Sequence, residues 1–445
     1  MRLLNQDRLM TSYIRCKMLM KLSTRCMYGL NDLTYIYSLI FINGVSSSLI
    51  NLAMSLRAYD ISNSASLVAI TVMFYNMSYV IASWSLSKLT SKFRSIKNLL
   101  ATIFAGYVLG VLLMIFNNLY LLFIGGVFIG ISSALSSPML MSILGSYVGK
   151  DSLTVARFNL VSTIASVIGY LIGSTSGSNI LALEISAVIS IPAILIANHI
   201  RVDSLTEIKK ELHIPQIPIT AGNIRSTPTT VQTHKLMYDF KILMYDLIKM
   251  FRKGVLRELS LLLIGGVALF TAISTFFSPF PAILKEHGFT DSDVFIMSLT
   301  SSIASIIWFR LASRFIKSVS DAWSVLIKCV LSRIAIFSIP SLTLAFIDDL
   351  KILRLLITIF YILIGTTWAL ISTSLTTLIL SLSERERKGV RLGHMNGAIG
   401  AGTVLGSLCS AVIIQYGFLV NFVMVITLLM LTYLVFNKAV GALVT

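Results

Sequence analysis

The sequence predicts an all-α polytopic membrane protein with about twelve transmembrane helices in two six-helix halves. Of its 445 residues, 56% are hydrophobic and only 12% are charged, and the mean hydropathy is +0.86. Soluble domains carry roughly 25% charged residues, so the composition excludes a soluble enzyme. The third observation is a series of long apolar runs separated by charged or turn-forming residues.

Twelve apolar runs are long enough to span a membrane. Each has about 20 residues, the length that crosses a hydrocarbon core of ~30 Å. Only helices and closed barrels satisfy every backbone polar group in lipid, and the runs lack the alternating pattern of barrel strands. We therefore expect helices near residues 33–56, 66–89, 98–116, 119–146, 157–179, 181–200, 259–284, 294–316, 324–347, 352–383, 392–416 and 418–437.

The distribution of basic residues predicts the orientation. With the N-terminus in the cytoplasm, the segments then placed inside hold 30 of the 36 Lys and Arg residues, and the outside loops hold four. Cytoplasmic loops are enriched in Lys and Arg, so we expect a multi-pass protein of the cell membrane with both termini cytoplasmic. The basic residues are spread along one membrane face, which argues against a nucleic-acid partner.

The runs divide the chain into four regions. The first is basic, and we expect it either to lie on the anionic inner leaflet or to include an over-extended start, with four methionines between residues 10 and 27 as alternatives. The central polar region mixes both charge signs, and we expect a short interfacial helix there. The regions are a cytoplasmic N-terminal segment 1–31, a six-helix half 32–200, a cytoplasmic loop 201–258 and a second six-helix half 259–445.

The two halves resemble each other when the chain is shifted against itself. A shift of 222 residues places Gly44-Val45 on Gly266-Val267 and Ile81-Ala82-Ser83 on Ile303-Ala304-Ser305. Later matches need shifts of 235 and 237, a drift that a loop-sized insertion explains. We therefore expect two parallel repeats with a cleft between them near the bilayer midplane.

The segments after spans two and eight resemble a motif of the major facilitator superfamily. That family carries G-x-L-[AS]-D-R-x-G-R-[RK] between its second and third helices, and this chain has Leu89-Thr90-Ser91-Lys92-Phe93-Arg94 and Leu311-Ala312-Ser313-Arg314-Phe315. Residues 280–289 also look like the family's seventh helix and exit loop, and the resemblance extends from about 33 to 437. Serine replaces the family's acidic residue at 91 and 313, which implies a rewired cytoplasmic latch. The latch candidates are Lys88, Lys92, Arg94, Arg310, Arg314 and Lys317.

The resemblance implies that spans one, four, seven and ten line a substrate cavity. The polar residues of these spans carry no charge, which favours a neutral or largely apolar solute. Ser and Thr in membrane helices also bond to their own backbone or pack as small residues, so each hydroxyl has a structural alternative. The substrate-binding candidates are Asn43, Ser47, Asn51, Ser132, Ser136, Thr275, Thr367 and Trp368.

Glycines recur at helical spacing in spans five and eleven. Gly169, Gly173 and Gly177 form G-xxx-G-xxx-G, and Gly402 and Gly406 repeat the spacing. Such patterns let two helix backbones approach closely. The pattern in span five resembles the family's antiporter motif, with serines at two motif positions, and this resemblance implies efflux. Close helix packing explains the same glycines equally well.

Few charges lie within the spans. Glu184 is about one turn, roughly 6 Å, from the outer end of span six, and it is the candidate coupling carboxylate. Arg333 lies within span nine, and snorkelling or pairing with another helix is the structural alternative for both residues. The arginine that the family usually has in its fourth helix is replaced by Gly126, so the resemblance does not extend to proton coupling through that residue.

The sequence lacks enzyme motifs. Its five histidines form no HExxH, its four cysteines form no CxxC, and no metal or cofactor is expected. The resemblance implies a secondary active transporter that exports its solute, with a proton or another ion as a coupling partner, working as a monomer in the lipid bilayer. Two alternatives remain: uptake or facilitated diffusion of a sugar-like solute, and a transport-inactive membrane sensor with the same fold.

Overall fold

A computed structural model describes residues 33–92, 96–148, 152–199, 257–382 and 388–444. Within these ranges the chain is helical, without strands, and twelve helices are long and apolar enough to cross a membrane. The predicted fold class is therefore confirmed. The helices are α1 (Leu33–Ser62), α2 (Ala65–Lys92), α3 (Ile96–Ile115), α4 (Leu119–Val148), α5 (Ser152–Ser176), α6 (Asn179–His199), α7 (Arg257–Phe277), α8 (Asp291–Phe315), α9 (Val319–Phe346), α10 (Leu350–Ser381), α11 (Lys388–Ile413) and α12 (Phe418–Val444).

Local sequence explains several helix ends. Thr290 and Asp293 form a capping box at the start of α8, Ser318 and Asp321 form another at α9, and Asp349 accepts two backbone N–H groups at the start of α10. These side chains satisfy N–H groups that have no partner within the helix.

The seventh span is broken near its end. α7 stops at Phe277, and a second helix, Phe280–Glu286, continues in the same span. Pro279 precedes this short helix and Pro281 lies in its first turn. A proline has no N–H and its ring clashes with the preceding turn, so a continuous helix is interrupted here. We call Phe280–Glu286 the α7 extension.

The same helix pairs pack in both halves. In the first half α4 packs against α2 and α3, and α3 also packs against α6; in the second, α10 packs against α8 and α9, and α9 also packs against α12. α1 meets α5 at Gly44, where a Cβ would lie 2.6 Å from the Cβ of Ala165, and α7 packs against α11. The architecture is therefore a parallel repeat of two six-helix units.

Two helix pairs make the most extensive contacts between the halves. α2 packs along α11, and α5 packs along α8. We call the face at which α1 and the α7 extension end the distal face, and the opposite one the proximal face. The surface of the bundle exposes large apolar side chains, among them Val188, Leu195 and Leu434 at 65%, 62% and 62%, as expected of a lipid-facing surface.

Candidate functional site

A cavity of about 380 Å³ lies between the two halves. Helices α1, α2 and α5 of the first half and α7, α8, α10 and α11 of the second contribute to its walls. The lining side chains carry no charge and occupy the stretch between the middle and the distal end of their helices. They are Asn51, Leu52, Met54, Ser55, Val72, Tyr75, Asn76, Tyr170, Ile273, Ser274, Phe277, Ser278, Pro281, Ser298, Ser301, Ser302, Tyr361, Ile364 and Thr403.

Aromatic rings form opposite walls of the cavity. Tyr75 and Tyr170 come from the first half, and Phe277 and Tyr361 come from the second. The Phe277 and Tyr361 rings meet edge to face with centroids 6.3 Å apart. Aromatic faces offer a large apolar contact with defined geometry, so the cavity can hold a flat, uncharged group between its two halves.

Buried hydrogen bonds join α3 to α4 in the first half. The hydroxyl of Tyr107 donates to Ser133 Oγ over 2.9 Å and lies 3.4 Å from Ser136 Oγ. All three side chains are buried, whereas Tyr75 and Asn51 line the cavity itself.

A second set of hydrogen bonds ties α2 and α7 to α11 beside the cavity. Asn76 Nδ2 donates to Ser407 Oγ over 2.9 Å, which crosses between the halves. Ser274 Oγ lies 3.1 Å from Ser407 Oγ and donates to the carbonyl of Thr403 over 2.8 Å. Because the Asn76–Ser407 bond joins the halves at the level of the cavity, any rearrangement of α2 against α11 changes the cavity wall.

Of the eight predicted substrate-binding residues, the structure places Asn51 on the cavity surface. Ser47 bonds to the carbonyl of Gly44 in its own helix over 3.2 Å, and Asn43 is buried. Thr275 donates to the carbonyl of Gly406 over 3.2 Å, on the side of α7 that faces α11. Trp368 packs edge to face against Phe270, with centroids 5.9 Å apart.

The remaining three predicted residues face other helices. Ser132 packs against Gly106 of α3, and Ser136 lies 3.4 Å from the Tyr107 hydroxyl. Thr367 accepts a hydrogen bond from Arg333. Helical spacing correctly groups residues on one face, but it does not indicate which face is turned to the cavity.

Sequence reasoning missed the contribution of α2, α5, α8 and α11, and it expected α4, which supplies no lining residue. Tyr75 and Asn76 of α2, Tyr170 of α5 and the serines at 298, 301 and 302 of α8 line the cavity. A usable signal was present, because an adjacent tyrosine and asparagine in the middle of an apolar span are costly unless they are used. The prediction considered only the first helix of each three-helix group.

The glycines of the repeated pattern differ in their surroundings. A Cβ at Gly402 would lie 2.6 Å from the carbonyl oxygen of Val267, and Gly169, Gly173 and Gly406 are also in close contact with neighbouring helices. Gly173 faces the ring of Phe295, so this contact joins the halves. Gly177 follows the end of α5 with φ of 73° and nothing within 4 Å of a Cβ, which gives this glycine a conformational role.

The predicted coupling and latch residues lie away from the cavity. Glu184 is on the exposed side of α6, and Arg310, Arg314 and Lys317 are exposed near the proximal end of α8. The side chains of Lys88 and Lys92, and all of Arg94, lie outside the described residues. In the described part of the chain, the ion pairs are Lys285 with Asp60, Lys285 with Asp291, and Arg354 with Asp293, all at the distal face.

The fold and the cavity between its halves define a multi-pass membrane protein of the transporter type. The family model of the Major Facilitator Superfamily matches residues 36–390, and the chain belongs to that family. No curated protein matches the sequence.

Solved structures share the fold at low sequence identity. A nucleoside transporter, NupG, aligns with a TM-score of 0.69 and 13% identity over 92% of this chain and 98% of its own. An auto-inhibited peptide transporter of the POT family gives 0.64 and 10% over 92% and 96%. A bacterial homologue of the human lysosomal transporter Spinster, inward-facing and unoccupied, gives 0.60 and 11% over 93% and 95%.

Proposed function

We propose that the protein is a secondary active transporter that moves a neutral, largely apolar small solute through the central cavity by alternating access. The observation that carries the proposal is the uncharged cavity between the two halves. Transporters bind their substrates at such an interface and rock one repeat against the other. A charged solute would have to leave water without a charged partner in this cavity, at a high free-energy cost.

The lining also favours a solute with a flat ring. Tyr75, Tyr170, Phe277 and Tyr361 provide ring contacts, and Asn51 and the serines provide a limited number of hydrogen bonds. Cavities of this kind are mostly apolar, and a few polar groups orient the ligand. The same mixture of rings and amides supports the second candidate function, uptake or facilitated diffusion of a sugar-like solute.

We further propose that the distal face is extracellular and that both termini are cytoplasmic in the cell membrane. The support is the 30-to-4 split of basic residues between the two sets of loops. Export is the proposed direction, supported by the antiporter-like glycine pattern of α5, and a proton or another ion is the proposed coupling partner. The exposed position of Glu184 weakens its candidacy as the coupling carboxylate.

The experiment begins with a screen for solutes that raise the melting temperature of the purified protein. A ligand present at 100 times its dissociation constant stabilises the folded state by about 2.7 kcal/mol. A solute found in this way is then loaded into proteoliposomes, and its flux is measured with and without an imposed ion gradient.

Gradient-driven flux of an uncharged solute supports the proposal. Selective stabilisation by charged solutes contradicts the neutral cavity. A solute that binds but shows no flux in either direction favours the transport-inactive sensor.

A further inference from the structure

Four polar residues form a closed ring at the distal face. Lys285 Nζ contacts Asp60 and lies 2.8 Å from Asp291 Oδ1. Asn179 Nδ2 donates to Asp60 Oδ2 over 2.5 Å and to Asp291 Oδ2 over 2.9 Å. Each residue therefore bonds to two others, in the order Asp60, Lys285, Asp291, Asn179. We call this set the distal ring.

The distal ring alternates between within-half and between-half contacts. Asp60 ends α1 and Asn179 begins α6, so both belong to the first half. Lys285 of the α7 extension and Asp291 at the start of α8 belong to the second. Two opposite sides of the ring, Asp60–Lys285 and Asn179–Asp291, cross between the halves, and the other two sides do not.

The ring lies over the distal end of the cavity. Pro281, which lines the cavity, is four residues, about one helical turn, before Lys285. Ser298, which also lines it, is seven residues after Asp291. Below the ring, Ser292 Oγ donates to the carbonyl of Ser174 over 2.8 Å, and this bond continues the closure between α8 and α5.

The ring residues are partly withdrawn from water. The side chains of Lys285, Asp60 and Asp291 are 17%, 34% and 10% exposed, and Asn179 is 2% exposed. Ion pairs in such positions are less screened than exposed ones. By contrast, the exposed arginine and lysine residues at the proximal end of α8 have no described carboxylate partner among the ion pairs of the structure.

We propose that the distal ring is the gate that closes the distal exit of the cavity, and that its two between-half contacts must break for that exit to open. This inference rests on the alternating access proposed above. Separation of the halves leaves Lys285 paired with Asp291 in the second half, a neutral pair. It leaves Asp60 in the first half with the Asn179 amide as its partner. The closed state is therefore favoured, because opening separates the Asp60 carboxylate from the Lys285 ammonium group.

The test measures how fast a cavity cysteine reacts from each side of the membrane. Ser278→Cys is the reporter, in a background in which Cys16, Cys26, Cys329 and Cys409 are replaced by serine. The probe is a charged maleimide that does not cross membranes, applied to intact cells and to inverted vesicles. Asp60→Asn and Lys285→Met each remove one between-half ion pair and preserve side-chain size.

Both substitutions should accelerate labelling from the distal side about fivefold or more, because the loss of one such contact shifts the ratio of closed to open protein by a factor of that size. They should slow labelling from the proximal side. The charge-exchanged variant, Asp60→Lys with Lys285→Asp, should return the rate towards that of the parent. Arg354→Gln is the matched control, because Arg354 pairs with Asp293 within one half over 2.8 Å, and its rate should equal that of the parent.

Labelling of Asp60→Asn and Lys285→Met at the parental rate overturns the proposal, and so does an equal acceleration by Arg354→Gln. If these variants do not fold, as judged by size-exclusion chromatography, Asn179→Ala removes the side-chain amide bond to Asp291 without a change of charge. The backbone N–H of residue 179 still donates to Asp291, so labelling should shift in the same direction by a smaller factor. A parental rate there also overturns the proposal. The readout is conformational, so it is independent of which solute is carried. A reporter that labels from one side of the membrane only, in the parent and in every variant, contradicts alternating access itself. Labelling from both sides at rates that the substitutions do not change overturns the gate alone.

Discussion

Arg333 donates its Nε–H to Thr367 Oγ1 over 3.2 Å, joining the middle of α9 to the middle of α10. Arg333 is 1% exposed, and its Nη1 has no hydrogen-bond partner among the described residues. A guanidinium group in this position is desolvated, and a hydroxyl compensates only part of that loss. The sequence alternatives for Arg333 were snorkelling or pairing with another helix, and the structure shows pairing.

Replacement of Arg333 by methionine should raise the apparent melting temperature of the purified protein. Methionine fills a similar volume and carries no charge, and replacing buried charged groups by apolar ones is often stabilising by about 1–4 kcal/mol. Thr367→Val should lower the melting temperature, because an unsatisfied buried donor costs about 1–3 kcal/mol.

The pair of substitutions provides its own control. In the Arg333→Met background, Thr367→Val should have little effect, since no donor remains for the hydroxyl to satisfy. A decrease in melting temperature on Arg333→Met alone would show that the guanidinium group is better compensated than its described contacts indicate.

Gly402→Ala should lower the melting temperature substantially. A Cβ at Gly402 would lie 2.6 Å from the carbonyl oxygen of Val267 and 2.9 Å from Phe270 Cβ, so α7 and α11 must separate, at a cost of about 1–3 kcal/mol. Gly126→Ala is the matched control in α4, where the nearest atom to a Cβ is 3.6 Å away. Alanine favours a helix over glycine by ~1 kcal/mol, so Gly126→Ala should be neutral or stabilising, and equal losses for the two variants would contradict this packing account.

Asn51→Ala should weaken solute affinity about fivefold, the loss expected for one hydrogen bond of roughly 1 kcal/mol. Ser47→Ala is the control, because Ser47 lies one turn away on α1 and bonds to its own helix. Affinity is measured by isothermal titration with a solute from the stability screen. Parental affinity of the Asn51→Ala variant would show that Asn51 does not bind the solute.

Trp368→Ala separates the sequence prediction from the structure. Trp368 packs on Phe270 and does not line the cavity. The substitution should therefore lower the melting temperature through the loss of packing and leave the affinity of the remaining folded protein near the parental value. A large loss of affinity with unchanged stability would support the sequence prediction of a binding role.

Solute affinity should be nearly independent of ionic strength. The cavity lining contains no charged side chain, and salt screens interactions between charges. Titrations between about 0.05 and 0.5 M salt should give dissociation constants that agree within about twofold. A systematic decrease in affinity with salt would indicate that a charged group contacts the solute.

The number and approximate limits of the helices could be predicted because they depend on the length of each apolar run. Membrane thickness sets that length, so the twelve spans can be recognised from the amino-acid sequence alone. α1 nevertheless extends to Ser62, six residues beyond its predicted end, because the apolar run ends before the helix does. Internal similarity likewise indicated the two halves without information about their packing.

The site could be predicted only in chemical character. The uncharged polar residues of the spans agree with the character of the described cavity lining, whereas the identity of the lining residues depends on the rotation of each helix about its axis. Asn51 and Ser47 are one turn apart, yet only Asn51 reaches the cavity surface. The distal ring is harder still to predict from the sequence, because Asp60 and Lys285 are 225 residues apart in the chain and no local pattern links them.

Spin-label distances across the two faces test the central claim, movement of one half against the other, most directly. Phe116 and Phe346 are exposed at the distal ends of α3 and α9, at 59% and 80%, and Asn198 and Asn437 are exposed near the proximal ends of α6 and α12. Labelled cysteines at each pair report the separation of the halves in proteoliposomes. On addition of a solute from the stability screen, the account predicts that the two distances change in opposite directions. Distances that stay fixed in both pairs, or that change in the same direction, would contradict alternating access.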